Sequence, residues 1–238
     1  MFYPVHDDNP LKSIGFQWVT IGLIVVNTLI YFFQEAYGLE ASTNIFGFLP
    51  AELTRGAVPD PAVPIQAPTV PTFFKLFSHM FLHGNIWHLA GNMLFLWVFG
   101  DNVEDAFGHV KFLLFYLVCG IAGGLMHAFI TQAPNLRLIG ASGAVAGIIA
   151  AYLILHPRVR VWVLFLRIIP LRISAALLLG IWVLNQVVMV LIPTMDNVAW
   201  WAHIGGLIAG AILVFVLRRP GVELFDRGLP PVPAKVTP

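Results

Sequence analysis

Three sets of polar side chains interrupt otherwise apolar stretches of this chain, and their types suit acyl transfer. The first is His79, His83, His88 and Asn92, entering and within one apolar run. The second is Ser142 in Gly140-Ala141-Ser142-Gly143, and the third is His203 in Ala202-His203-Ile204-Gly205-Gly206. A serine hydroxyl is a weak nucleophile until a base takes its proton. His203 is the single histidine of the last apolar run and can be that base. No carboxylate occurs in the runs of Ser142 and His203, so the two would act as a dyad rather than a triad. Acyl transfer also needs donors for the developing oxyanion. Ser142 opens a short helix, whose free N–H groups favour negative charge. His88 and Asn92, at i and i+4, share a helix face and can add side-chain donors.

Each motif has an ordinary alternative when read alone. Small residues in membrane helices usually serve packing, and His203 could bond a backbone carbonyl. His79, His83 and His88 have a spacing that suits zinc. They lack an accompanying Cys, or a Glu in an H-E-x-x-H arrangement, so neither a metal nor a cofactor is expected. His109 and His127 read as peripheral or structural, and Asn185 and Gln186 as bonds to a neighbour helix. Glu104 and Asp105 read as solvated at the inner surface, and Trp87, Trp97, Trp200 and Trp201 as interface belts. The single cysteine, Cys119, excludes an intramolecular disulfide and reads as a small core residue.

The elements that must carry these residues are membrane spans. Of 238 residues, 58% are hydrophobic and 11% charged, against roughly 25% charged in a soluble domain. Net charge is +1 and no basic stripe appears, so nucleic acid is not an expected partner. Apolar runs bounded by charges, Pro or Gly predict six spans, at about 16–36, 84–100, 111–131, 140–156, 173–192 and 198–217. The second and fourth are short. The start, with Asp7 and Asp8, lacks the basic region of a signal peptide, so the first span is expected to be retained. With both termini inside, ten of the 13 Lys and Arg fall on inner segments; only Arg55, Lys75 and Arg137 fall outside.

Depth ties the three sets together. At the helical rise, His88 lies about 20 Å above Asp101, Ser142 about 21 Å above His156 and His203 about 22 Å above Arg218, each taken as its span's inner end. All three thus sit roughly 10 Å below the outer surface of a ~30 Å hydrocarbon core. Ionisable groups at such depth are costly and usually functional. Gly143 and Gly147 in the fourth span, and Ala202, Gly206 and Gly210 in the sixth, recur every four residues beside Ser142 and His203. Such faces let transmembrane backbones approach closely, so a Ser142–His203 hydrogen bond between the two helices is expected.

The expected fold is an all-α membrane protein, a six-transmembrane-helix bundle with a short fourth helix carrying the nucleophile. Residues 1–219 form its single membrane domain and 220–238, with Pro230, Pro231 and Pro233, a disordered cytoplasmic tail. The first outer loop, about 37–72, mixes prolines with Phe46, Phe48, Leu49, Phe73 and Phe74, and is expected to lie partly in the membrane interface.

At these residues the chain resembles the rhomboid family of intramembrane serine proteases. The family pattern H-x-x-x-x-H-x-x-x-N matches His83, His88 and Asn92, with His79 one turn upstream. G-x-S-G matches Gly140, Ser142 and Gly143, and A-H-x-x-G-x-x-x-G matches Ala202, His203, Gly206 and Gly210. The resemblance covers about residues 16–217. It implies Ser142 as nucleophile, His203 as base, and His88, Asn92 and the Ser142 backbone N–H as the oxyanion site. It implies gating by the fifth span and the loop near 194–199, and substrates that are transmembrane segments cut near the outer surface. A bacterial-type inner membrane is the expected location. Two positions depart from the pattern. Phe74-Lys75 stands for a Trp-Arg pair, and Ala146 stands where some members carry an aromatic that stacks on the histidine, which leaves open what holds His203, another aromatic being one candidate. A non-catalytic relative that escorts membrane segments would lack the serine or the histidine. A His-rich metal transporter would be expected to show repeats, and none is visible.

Overall fold

The computed structural model describes residues 2–55, 70–131, 133–166, 168–192 and 198–226. In chain order it opens with β1 (Phe2–Asp7), α1 (Trp18–Tyr37), α2 (Leu39–Phe46), α3 (Pro50–Thr54) and α4 (Thr72–Ser78). A 3-10 turn (His79–Phe81) leads to α5 (Ile86–Phe107), α6 (His109–Ile130) and α7 (Ser142–Leu155). Then come β2 (Arg160–Phe165), β3 (Ile169–Ser174), α8 (Ala175–Leu191) and α9 (Trp200–Leu217). The chain is mostly helical. Among the described residues α1, α6 and α9 are long and apolar enough to cross a membrane, while α7 and α8 are apolar but shorter.

α7 is the hub. Every residue from Gly143 to Tyr152 is buried, which suits a helix surrounded on all sides. Glycines set how closely its neighbours approach. A Cβ on Gly206 would stand 1.9 Å from the Gly143 carbonyl oxygen, and one on Gly210 would stand 2.3 Å from that of Gly147. The matched register of these pairs makes α7 and α9 parallel. His88 against Gly140 and Phe99 against Tyr152 give α5 the same direction. α6 runs the other way, with Gly123 against Ala202 and Lys111 Nζ donating to Leu217 O at 3.4 Å. The N-termini of α5, α7 and α9 therefore share one end of the bundle.

The all-α expectation needs correction. An antiparallel sheet in the order β1-β2-β3 sits beyond the C-terminus of α7. Its cause is a period-two pattern: Val159, Val161 and Val163 are buried, while Arg160 is exposed and Trp162 is 42% exposed. β1 pairs with β2 from Phe2↔Phe165 to Asp7↔Val161, with an irregularity between Pro4 and His6.

Three further expectations change. α5 does not stop near residue 100 but continues to Phe107, where Gly108 turns the chain at φ 84°. Glu104 and Asp105 are not solvated; they are buried because they cap backbone donors. Glu104 accepts from Val19 N at 3.0 Å, Thr20 N at 2.8 Å and Thr20 Oγ1 at 2.7 Å. Asp105 accepts from the N–H groups of Lys12, Ser13 and Ile14 at 2.7–2.9 Å. The chain after residue 219 is also held as far as Asp226. Phe225 N donates to Ile154 O and Asp226 N to Leu155 O, both at 2.8 Å, and Asp226 pairs with Lys12 at 3.0 Å. Residues 227–238 of the expected tail lie outside the described residues.

The first outer loop folds into α2, α3 and α4, with 56–69 outside the described residues. Lys75 reaches Glu52 at 2.7 Å, and Phe48 and Leu138 form a β-bridge, fastening this loop to the segment that precedes Ser142.

Candidate active site

Each of the three polar sets lies at the N-terminal end of its helix. Asn85 caps α5 by accepting from His88 N at 2.9 Å, which puts His88 in the first turn. Ser142 is the first residue of α7, where N–H groups have no intrahelical partner. His203 lies in the first turn of α9, begun by Trp200.

The shared end of these parallel helices brings the groups together. His203 Nε2 lies 2.9 Å from Ser142 Oγ. His203 is buried and Ser142 half-buried. Before Ser142 the chain turns at Gly140, with φ 119°, a conformation that disfavours side chains. Space demands glycine there as well, since a Cβ would stand 2.7 Å from the His88 ring. Gly140 N donates to His79 O at 2.8 Å, which fixes the turn.

Asn92 lies one turn below His88. Its Nδ2 donates to His83 Nε2 at 3.0 Å, and His83 N donates to Gln34 Oε1 at 2.9 Å. An amide nitrogen carries two hydrogens, so one of Asn92's remains for the cleft. That cleft, of about 680 Å³, is lined by His88, Asn92, His127, Ser142, Trp182 and His203 among others.

Not every expected residue enters it. His79 packs behind, beside Gly124 and the Phe48 ring at 6.0 Å between centroids, and has no hydrogen-bond partner for either ring nitrogen. His83 acts on the cleft through Asn92. Gly143, Gly206 and Gly210 form the seam between α7 and α9. Among the described residues no three His, Cys, Asp or Glu stand close enough to share a metal ion. Residues 194–197 of the expected gating loop lie outside the described residues.

Sequence reasoning missed what holds His203. Its Nδ1 lies 2.7 Å from Gln186 Oε1, on α8, and Gln186 Nε2 donates to Trp182 O at 2.8 Å. The rings of Trp200 and Trp182 flank the imidazole at 5.7 and 5.9 Å between centroids. Aromatics other than one at position 146 do hold the ring, and a hydrogen bond adds to them. A polar amide in an apolar run, at the level of His203 on the neighbouring span, was the signal available.

A family model described as Rhomboid domain matches residues 71–220. The RHOMBOID-like protein 6, mitochondrial, of Arabidopsis thaliana is 32% identical over 144 residues, which are 60% of this chain and 43% of that protein. The Rhomboid protease GluP of Bacillus subtilis (strain 168) is 34% identical over 157 residues, 66% of this chain and 28% of GluP. The RHOMBOID-like protein 12, mitochondrial, of Arabidopsis thaliana is 25% identical over 88% of this chain and 61% of its own length. Among the first of these relatives, the chain spans less than half of each one's length.

Proposed function

The chain belongs to the rhomboid family, and we propose that it is an intramembrane serine endopeptidase working through Ser142 and His203. It is an integral membrane protein, and the proposed arrangement has six spans: α1, α5, α6, α7, α8 and α9. The observation that carries the proposal is the 2.9 Å approach of His203 Nε2 to Ser142 Oγ in a cleft that both residues line.

Ser142 Oγ attacks the scissile carbonyl carbon as its proton passes to His203 Nε2. The carbonyl oxygen takes the negative charge, and the Ser142 N–H, His88 and Asn92 donate to it. His203 then returns the proton to the leaving amine, leaving an acyl ester on Ser142. Water, deprotonated by His203, attacks that ester and frees the enzyme. The substrate is a transmembrane segment that unravels near the outer surface, because helical peptide bonds are shielded from attack. The protein sits in a bacterial-type inner membrane with both termini cytoplasmic.

A fluorophosphonate probe tests this. Purified, metal-free protein should be labelled at Ser142, and Ser142→Ala should lose both labelling and cleavage of reconstituted transmembrane segments while remaining folded. Turnover retained in Ser142→Ala would overturn the assignment. A folded wild-type protein that neither labels nor cleaves would favour a non-catalytic relative that binds membrane segments.

A further inference from the structure

Gln186 can face His203 in only one way, and that decides where the imidazole proton sits. Its Nε2 is 2.8 Å from Trp182 O, a carbonyl one turn earlier on the same helix. A carbonyl can only accept, so the nitrogen end of the amide must point there. The oxygen end then faces His203 Nδ1, at 2.7 Å. An amide oxygen also only accepts, so Nδ1 must carry the hydrogen. A neutral imidazole protonated at Nδ1 has its lone pair at Nε2, the atom 2.9 Å from Ser142 Oγ. The hydroxyl is thereby left as donor, the orientation from which its proton can be taken.

We infer that Gln186 is a positioning residue that holds His203 in the Nδ1–H tautomer, filling with a neutral amide the place a carboxylate takes in a triad. This rests on the reading of Ser142 and His203 as nucleophile and base. The geometry goes beyond helix gluing. Gln186 is 2% exposed and both ends of its amide are used. His88 and His127 line the same cleft, and the acceptor at Nδ1 is Gln186 rather than either of them. In serine proteases the triad carboxylate both orients the imidazole and stabilises the imidazolium. Gln186 performs the first task and, through its carbonyl dipole, part of the second.

The test reads the proton directly, in the resting protein. Nitrogen-15 spectra of histidine-labelled protein, with His203 signals assigned by their loss in His203→Ala, should show Nδ1 protonated and Nε2 bare. Gln186→Leu keeps the volume but removes the acceptor. It should populate the other tautomer and lower kcat with KM unchanged, by about 10²-fold, short of the ~10⁴ caused by a wrong tautomer in a triad protease. Gln186→Glu, with its carboxyl protonated in this buried site so that its O–H donates to Trp182 O where the amide N–H did, keeps an acceptor oxygen toward Nδ1 and should restore the Nδ1–H signal and much of the lost turnover. Wild-type protein protonated at Nε2 would overturn the inference even if the leucine variant fails to fold. So would a folded Gln186→Leu with unchanged tautomer and kcat. Failure of the underlying reading shows separately, as turnover that survives Ser142→Ala.

Discussion

At the scale of single residues, the proposed mechanism sorts groups that act throughout the reaction from groups that act only at its peak. In the proposed mechanism His88, and the one Asn92 amide hydrogen not given to His83, donate only once charge develops on the substrate oxygen. His88→Ala and Asn92→Ala should therefore lower kcat by about 10²–10³-fold with little change in KM. Steady-state kinetics on both variants, with metal content measured alongside, checks this. Activity that chelators abolish and zinc restores would assign these residues to a metal instead. A different residue governs pH at the opposite end of the molecule. Burial pushes the Asp7 carboxyl from 3.8 up to about 6, while a hydrogen bond from Tyr152 and nearby His6 and His156 pull it partly back. A carboxyl raised in the fold favours the neutral form. Its contribution to stability is complete below about 3.8 and is lost as pH rises through about 6. Asp7→Asn keeps the polar shape without the charge. It should flatten the fall in stability between these pH values and raise stability at pH 7 by about 3 kcal/mol. Chemical denaturation at several pH values measures it, and an unchanged slope would count against a buried ionisation at Asp7.

At the scale of elements, the glycine seam between α7 and α9 sets the distance across which Ser142 and His203 meet. A side chain on Gly210 would strike the Gly147 backbone, which cannot swing away as a flexible side chain can. Gly210→Val should destabilise the fold by about 3 kcal/mol or more, at or above the upper end of ordinary overpacking, and lose activity with it. On α8, a Cβ added at Gly180 would meet nothing within 4 Å, so Gly180→Val is the control that should be tolerated. Thermal unfolding of both in one detergent decides, and equal losses would mean that helix propensity rather than the seam is at work. The seam was legible in the sequence because Gly143, Gly147, Gly206 and Gly210 follow helical spacing. Ser142 and His203 were legible as candidates because polar groups on three separate runs fall at one depth, whereas each alone had an ordinary explanation. The sheet was not: its pairing joins Asp7 to Val161, and the alternation through Val159–Val163 has no local signal for its partner strand. Glu104 and Asp105 were misread for the same reason, since their partners are backbone groups far along the chain. Gln186 was seen as a bond to a neighbour helix, but the identity of that neighbour is a tertiary fact.

At the scale of the whole molecule, the side of the membrane on which the proposed cleavage would occur follows from which end of the bundle faces out. The ends differ in charge. The end beyond α7 carries Arg158, Arg160 and Arg172 on or beside the sheet, with Arg218 and Arg219 at the close of α9. The end bearing Ser142 has Arg55, Lys75 and Arg137 near it, and Lys75 is neutralised by Glu52. Positive charge is retained on the cytoplasmic side during insertion, which predicts that the sheet end faces the cytoplasm and the cleft opens outward. Single cysteines can read this. Arg55 and Glu223 are both exposed and lie at opposite ends. The native Cys119 is fully buried, so an impermeant thiol reagent leaves it untouched and it can stay in place. In intact cells Arg55→Cys should label and Glu223→Cys should not; after permeabilisation both should label. Labelling of Glu223→Cys alone in intact cells would invert the molecule and move the site of cleavage to the inner surface, with the catalytic geometry unchanged.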